Sequence, residues 1–236
     1  MNFAGMLLLR LSGHSCAGKT RLVNALPGVG ISCPKVIRYT SRAPRPEENE
    51  GEDYYFRSRE FIESLPENDF LVGPVRNMLQ AFDLKQLESD LEIHELVLIE
   101  IYPALWQGLM ARLKERMNEK VKTASVFMTA VDPSIIEKFR DLEEKAGYIT
   151  SEVYKMLVLR DKDKLEDIKI RAHAAAGEIL EALSPEGSKT YDKIIHSSPE
   201  GPDGEDDWTR ESQPVGQAKA ALEEFLTFLK TLSFVS

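Results

Sequence analysis

The sequence predicts an α/β fold with a parallel sheet flanked by helices. Three observations carry this. Apolar runs of strand length recur along the chain. They alternate with segments whose apolar residues fall three and four apart. The first run leads directly into a glycine-rich turn that ends in Lys-Thr. Continuous apolar runs mark strands buried on both faces, and alternation with helices supplies the cover for those faces.

The elements follow in order. Met6–Ser12 (MLLLRLS) predicts the first strand. Arg10 interrupts the apolar opening and the turn follows at once, so this segment reads as a buried strand and not as a signal peptide. A helix is predicted over Thr20–Leu26 and a strand over Lys35–Thr40. Between Ser41 and Asp69 the alternation breaks, and the proline-rich, charged, aromatic text predicts part of a small inserted domain. Leu84–Leu91 is helical, Glu95–Tyr102 a strand, Ala104–Lys120 helical and Thr123–Val131 a strand. Pro133–Lys145 and the long charged stretch Ser151–Leu183 carry helical spacing, and Tyr191–Ser197 predicts the last strand. Ser197–Gln217 is acidic and rich in Pro, Gly and Ser, as a loop is. The segment after it has helical spacing and predicts a C-terminal helix docked on the body.

The chain has 236 residues, 42% hydrophobic, enough for one large α/β domain with an insertion or two small ones. Its net charge of −9 argues against a general nucleic-acid binder, which needs a basic footprint. Any anion site is therefore a local basic cluster on an acidic body. Cys16 and Cys33 suggest no disulfide framework. No apolar run reaches the ~18 residues of a membrane span. These features predict a cytoplasmic protein without nucleic-acid or membrane partners, and leave a homodimer open. His14, His94, His173 and His196 show no metal-ligand spacing, and Trp106 and Trp208 read as packing or loop residues.

Gly13, His14, Ser15, Cys16, Ala17, Gly18, Lys19 and Thr20 fit the phosphate-loop pattern G-x-x-x-x-G-K-[ST] without a gap. The glycines let the backbone curl so that successive N–H groups face phosphate oxygens. The helix that follows directs its positive end to the same place. In this pattern Lys19 reaches the β- and γ-phosphates, and the Thr20 hydroxyl ligates Mg²⁺. The expected ligands are ATP and Mg²⁺.

A second cluster follows. Arg38, Arg42 and Arg45 fall within eight residues, with Pro44 and Pro46 stiffening the chain and Tyr54, Tyr55 and Phe56 downstream. Guanidiniums on a stiff turn grip a phosphate through paired hydrogen bonds. The alternative is a solvated basic loop paired with its own glutamates.

This stretch, TSRAPRPEENEGEDYYF, resembles the guanylate kinase signature at Thr40, Arg42, Arg45, Glu48, Gly51, Asp53, Tyr54 and Phe56. Weaker likenesses run on to about residue 198: REF (59–61), NDFL (68–71), Gln107 with Gly108, and IRAHAAAGEI (170–179). The resemblance implies a P-loop kinase core (1–36, 92–138 and 169–198) and an acceptor-binding domain (37–91). It further implies a helical lid (139–168), followed by the acidic loop (199–216) and the C-terminal helix (217–236). ATP with Mg²⁺ would be the donor, and a small phosphorylated molecule the acceptor: GMP or a related nucleoside monophosphate. Carried over by position, Arg42, Arg45 and Tyr54 hold the acceptor phosphate. Arg38 and Glu100 join the acceptor site. Lys19, Arg42, Arg171 and the lid arginine Arg160 are the catalytic set.

The likeness fails at the base-reading positions. Arg38 replaces a serine, Val72 stands where a guanine-reading glutamate is expected, and VRNMLQAFD (75–83) replaces a tyrosine–glycine stretch. Glu100, Asp83 and Asn77 are candidate substitutes. The expectation is a kept phosphate clamp with altered base discrimination, and GMP a poor acceptor. Two alternatives stay open. IRYTSR (37–42) is similar to a short motif of ribose bisphosphate kinases, which would make a phosphorylated sugar the acceptor. Guanylate kinase-like domains also serve as non-catalytic binding modules, though those lack a working phosphate loop.

Overall fold

The computed structural model describes residues 6–46, 48–117, 121–160, 164–197 and 214–232. Along the chain, β1 (Leu7–Gly13) leads through the glycine-rich loop into α1 (Lys19–Ala25). β2 (Tyr39–Thr40), β3 (Tyr55–Phe56), α2 (Arg59–Glu63), β4 (Phe70–Val75), β5 (Met78–Asp83) and α3 (Leu84–Ile93) follow. Then come β6 (Leu96–Glu100), α4 (Pro103–Met117) and β7 (Lys122–Thr129). Four helices succeed one another: α5 (Pro133–Ile136), α6 (Leu142–Arg160), α7 (Leu165–Leu183) and α8 (Gly187–Thr190). β8 (Lys193–His196) and α9 (Gly216–Leu232) close the described chain. One sheet runs in the order β6-β1-β7-β8, with β7 and β8 parallel, and a second runs β3-β2-β5-β4.

The chain divides into two compact units. The first comprises Met1, Leu11–Ser32 and Ala124–Ser236. Its core joins Phe127 and Val131 to Ile149, Val153 and Leu157 of α6 and to Ile168, Ala172, Ala175 and Ile179 of α7. α6 and α7 thus pack as a pair. α9 turns Ala218, Ala221, Leu222, Phe225 and Leu229 inward, and Glu224 pairs with Lys193 of β8 at 2.6 Å. The docked C-terminal helix was legible in its spacing; Trp208 and most of the acidic loop lie outside the described residues.

The second unit comprises Asn2–Arg10 and Cys33–Thr123. It groups β6 and α4 with the inserted segment, a wider grouping than 37–91. The reason is one shared core, in which Phe82, Leu84, Leu87 and Leu91 pack with Val97, Ile99, Leu105, Leu109 and Leu113.

Three predicted elements differ from the structure. Lys35–Thr40 is not one strand: Lys35 bridges Leu98 beside β6, whereas Tyr39 and Thr40 pair with β3 and β5. The segment leaves one sheet for the other within five residues. Pro133–Lys145 is not one helix. Asp132 caps α5, and the Asp141 carboxylate accepts the Glu144 N–H at 2.8 Å to start α6 separately. Ser151–Leu183 is likewise split between α6 and α7. The β4–β5 hairpin was not predicted. Its two-residue turn is Arg76-Asn77, with Arg76 at φ 55. Pro74 is tolerated because β4 is an edge strand.

Pleating sorts the second sheet's side chains. Tyr39, Tyr55, Val72, Leu79 and Ala81 face a small apolar cluster around Ile62. The alternate positions Arg38, Thr40, Tyr54, Phe56, Gly73 and Gln80 face the other way.

Candidate active site

The loop of the first unit has the backbone that a phosphate needs. Gly13 (φ 144), Cys16 (φ 68) and Gly18 (φ 80) all lie at positive φ. Gly13 admits no side chain, because a Cβ there would stand 2.3 Å from the Met128 carbonyl oxygen. Positive φ at such positions lets successive N–H groups turn to one side, as an anion-binding concavity requires. Lys19 Nζ donates to the Gly13 and His14 carbonyls at 2.6 and 2.9 Å, so its ammonium lies along the loop. Thr20 is exposed beside it.

His14 is fully buried, and its side chain supports the loop from behind. Nε2 accepts the Ala130 N–H at 2.9 Å, which leaves the ring proton on Nδ1, 2.5 Å from the Ser15 carbonyl. From α7, Arg171 Nε donates to Ser15 Oγ at 3.0 Å. Arg171, expected in the catalytic set, therefore reaches the loop. The side chain of Arg160 lies outside the described residues. Burial pushes the Cys33 thiol up to about 11, so it is no nucleophile at neutral pH.

The clamp lies in the second unit. Arg42 and Glu48 form a two-pronged pair, with Nη1 and Nη2 donating to the carboxylate at 2.6 and 2.5 Å. Arg45 joins through its backbone N–H at 2.8 Å and through Nη1 at 3.3 Å. Glu48 thus holds both arginines in fixed orientation. Burial opposes its ionisation, but the bonds from Arg42 and Arg45 outweigh burial and keep the carboxyl below its ordinary value. Sequence reasoning matched Glu48 to the signature, and had it pair with the arginines only in the alternative reading of a solvated loop. The available signal was its spacing, three residues after Arg45, which suits a carboxylate that closes back on a backbone N–H.

Arg38 is buried. Nη1 donates to the Glu100 carbonyl at 2.7 Å and Nη2 to the Tyr54 hydroxyl at 2.8 Å, and its guanidinium lies 4.7 Å from the centre of the Tyr54 ring. Arg42 stands the same 4.7 Å from that ring. Burial raises the Tyr54 phenol, yet Arg38 and Arg42 together outweigh it and hold the phenol below its usual value. The buried Glu100 carboxylate lies 3.6 Å from Lys35 and 3.7 Å from Arg38. Arg38, Arg42, Arg45, Tyr54 and Glu100, singled out from sequence, form one connected network.

Of the expected base-reading positions and their substitutes, only Arg38 and Glu100 join this network. Val72 packs on the apolar cluster, on the face opposite Arg38 and Tyr54. Asp83 caps α3 by accepting the Gln86 N–H at 3.0 Å. Asn77 forms the hairpin turn, and Trp106 packs under the Arg10 guanidinium, 5.2 Å away. Among the described residues no group of three His, Cys, Asp or Glu is placed to hold a metal, and no helix is long and apolar enough to cross a membrane.

No family model matches the chain. A 62-residue stretch, 26% of the chain, is 52% identical to guanylate kinase of Nitrosospira multiformis, but spans only 30% of that protein. Over 161 residues, 67% of the chain, identity to guanylate kinase of Cereibacter sphaeroides is 34%, covering 72% of that relative. The crystal structure of guanylate kinase from Anaplasma phagocytophilum shares the fold, with a TM-score of 0.54 at 20% identity, over 100% of this chain and 89% of that one. On the extent and identity of these likenesses, the chain belongs to the guanylate kinase family.

Proposed function

We propose that this protein is an ATP-dependent phosphotransferase that passes the γ-phosphate of ATP to the phosphate of a nucleoside monophosphate, GMP or a relative of it. The observation that carries the reading is the loop Gly13–Thr20, with positive φ at Gly13, Cys16 and Gly18 and with Lys19 lying along it. A module that only grips a phosphorylated partner has no use for this loop.

The residues fit ATP. The loop N–H groups would hold its phosphates, and Lys19 would offset charge on the transferred group. Thr20 would hold Mg²⁺, which takes few protein ligands and supplies charge neutralisation on the phosphate oxygens. Arg171 is positioned against Ser15 to add positive charge at the loop. Arg160 is a second candidate for that role.

Arg42 and Arg45 would receive the acceptor phosphate with Tyr54 beside them. A phosphate monoester has its second pKa near ~6, so the attacking oxygen is already ionised at neutral pH. No general base is needed, and catalysis reduces to orientation and charge. A third anion-binding arginine was the reason to weigh a phosphorylated sugar. Arg38 is already bonded to Glu100 and Tyr54, which favours the nucleotide instead. A cytoplasmic setting fits a reaction that draws on ATP and Mg²⁺.

The test is coupled ADP release with ATP, Mg²⁺ and a panel of acceptors. Release that needs both a nucleoside monophosphate and Lys19 supports the reading. A folded protein that binds ATP and releases ADP with no acceptor refutes it.

A further inference from the structure

Two side chains tie the phosphate loop to the rest of its unit. Arg171 does so from α7, through Ser15. His14 does so from within the loop. Its ring is fully buried, and Nε2 accepts the N–H of Ala130, the residue that follows β7. Nδ1 stands 2.5 Å from the Ser15 carbonyl oxygen. The loop lies directly on β7 here, since a Cβ on Gly13 would meet the backbone of Met128. The ring is a clip between loop and sheet.

The clip works in one protonation state. A neutral imidazole has one acceptor nitrogen and one donor nitrogen, and Ala130 and Ser15 use both. An imidazolium has two donors and no acceptor. A proton on Nε2 would set one N–H against another and hold a charge out of water. The groups around the ring do not offset that charge. Within the loop, Cys16 follows two residues on, and the Lys19 ammonium donates to the His14 carbonyl at 2.9 Å. From α7 comes a second cation, Arg171. Asp132, two residues past Ala130, accepts the Ser134 N–H of α5 at 2.8 Å, and His196 of β8 is registered beside Thr129. The ring therefore takes up a proton when it leaves its place, in a released loop.

We propose that His14 is a proton-sensitive positioning residue of the donor site: the loop takes ATP while the ring is neutral, and proton uptake by the ring releases the loop and weakens ATP binding. This rests on the reading of the loop as the ATP site. The sign follows from linkage. A released imidazole takes its proton in the ordinary range, about 6.5, and the clipped ring resists it. The clip is therefore whole above that range and is lost as pH falls below it, by up to about tenfold per pH unit. The phosphates of ATP would attract an imidazolium, but Lys19, Arg171 and Mg²⁺ offset their charge, whereas nothing offsets a donor turned on a donor.

The experiment titrates ATP with Mg²⁺ into wild type and His14→Gln by calorimetry between pH 8 and pH 5, with a thermal melt at each pH. A carboxamide oxygen can accept the Ala130 N–H and takes up no proton in this range. The quantity read is the pH slope of each protein, so protonation of ATP itself cancels. From pH 8 to pH 5 the wild type should lose at least about threefold more affinity than His14→Gln. The ceiling is about thirtyfold, set by 1.5 pH units below the ordinary imidazole value. Nitrogen NMR of the wild-type histidines, assigned by replacing His94, His173 and His196 in turn, decides the matter where the variant does not fold or bind. Saturating ATP should lower the pH at which the His14 ring takes its proton by at least about half a unit, and the neutral ring should carry its proton on Nδ1. Parallel slopes in two folded, ATP-binding proteins overturn the proposal. So does a His14 titration that ATP leaves unchanged or moves upward. If the wild type takes up no ATP at any pH, the donor reading itself falls and the proposal with it.

Discussion

The imidazole of His14 accepts the Ala130 N–H at 2.9 Å while its other nitrogen faces the Ser15 carbonyl at 2.5 Å. One buried ring therefore fastens the phosphate loop to the residue that follows β7. In His14→Ala the buried Ala130 N–H loses its partner, a cost of about 1–3 kcal/mol, and the part-buried Ser15 carbonyl loses one too. The expected outcome is a lower melting temperature and a KM for ATP raised roughly 10- to 100-fold. Steady-state kinetics and a thermal melt check it; wild-type values in both would show that the loop holds its shape unaided.

Lys19→Ala should lower kcat at least ~100-fold with the fold intact. Circular dichroism establishes the fold, and single-turnover kinetics the loss. Wild-type turnover by the folded variant would remove the loop from the chemistry.

Arg42→Ala and Arg45→Ala should weaken the acceptor and spare ATP. A charge-assisted contact contributes ~1.5–3 kcal/mol, or roughly 10- to 150-fold in affinity. Titration calorimetry separates the two ligands. A loss confined to ATP would exchange the assigned sites.

Glu48 ties the clamp to pH. Its carboxyl lies below the ordinary value of 4.5, so it contributes stability that is present above about that pH and is lost as pH falls through the folded value. Urea unfolding between pH 7 and 3 should show this acid loss in wild type. Glu48→Gln should be less stable at pH 7 and show a shallower acid slope; identical slopes would mean that Glu48 carries no such linkage.

Tyr54 sets an alkaline limit. Arg38 and Arg42 overcome burial and hold its phenol below 10.0, and the phenolate repels an acceptor phosphate. The kcat/KM for the acceptor should fall before pH 10 is reached, and Tyr54→Phe should lack that fall. A limb that persists in the variant belongs to another group.

Much of this was legible in the sequence. The loop was, because its chemistry forces glycines and a lysine at fixed spacing. So were Arg42, Arg45 and Tyr54, within a signature of residue types. What failed to show was anything set by strand register. A one-residue shift turns a side chain to the other face, and the two-residue turn at Arg76-Asn77 carries no Asn-Gly or Asp-Gly to announce it. Without the hairpin, Val72 read as a base-reading position that had lost its acceptor. His14 read only as a loop residue and Glu48 only as a signature match or a partner in a solvated loop, so their supporting roles went unread for a related reason. Each acts through backbone groups, at Ala130 and at Arg45, which leave no mark in the text.

The most direct measurement is acceptor-dependent ADP release by the intact protein with ATP and Mg²⁺, run with and without each nucleoside monophosphate. The account predicts turnover that requires the monophosphate, with kcat/KM for the best of them within the ordinary enzymatic range of ~10⁴–10⁸ M⁻¹s⁻¹. Efficient transfer to ribose bisphosphate with none to any nucleoside monophosphate would contradict it, as would a folded, ATP-binding protein that transfers to nothing.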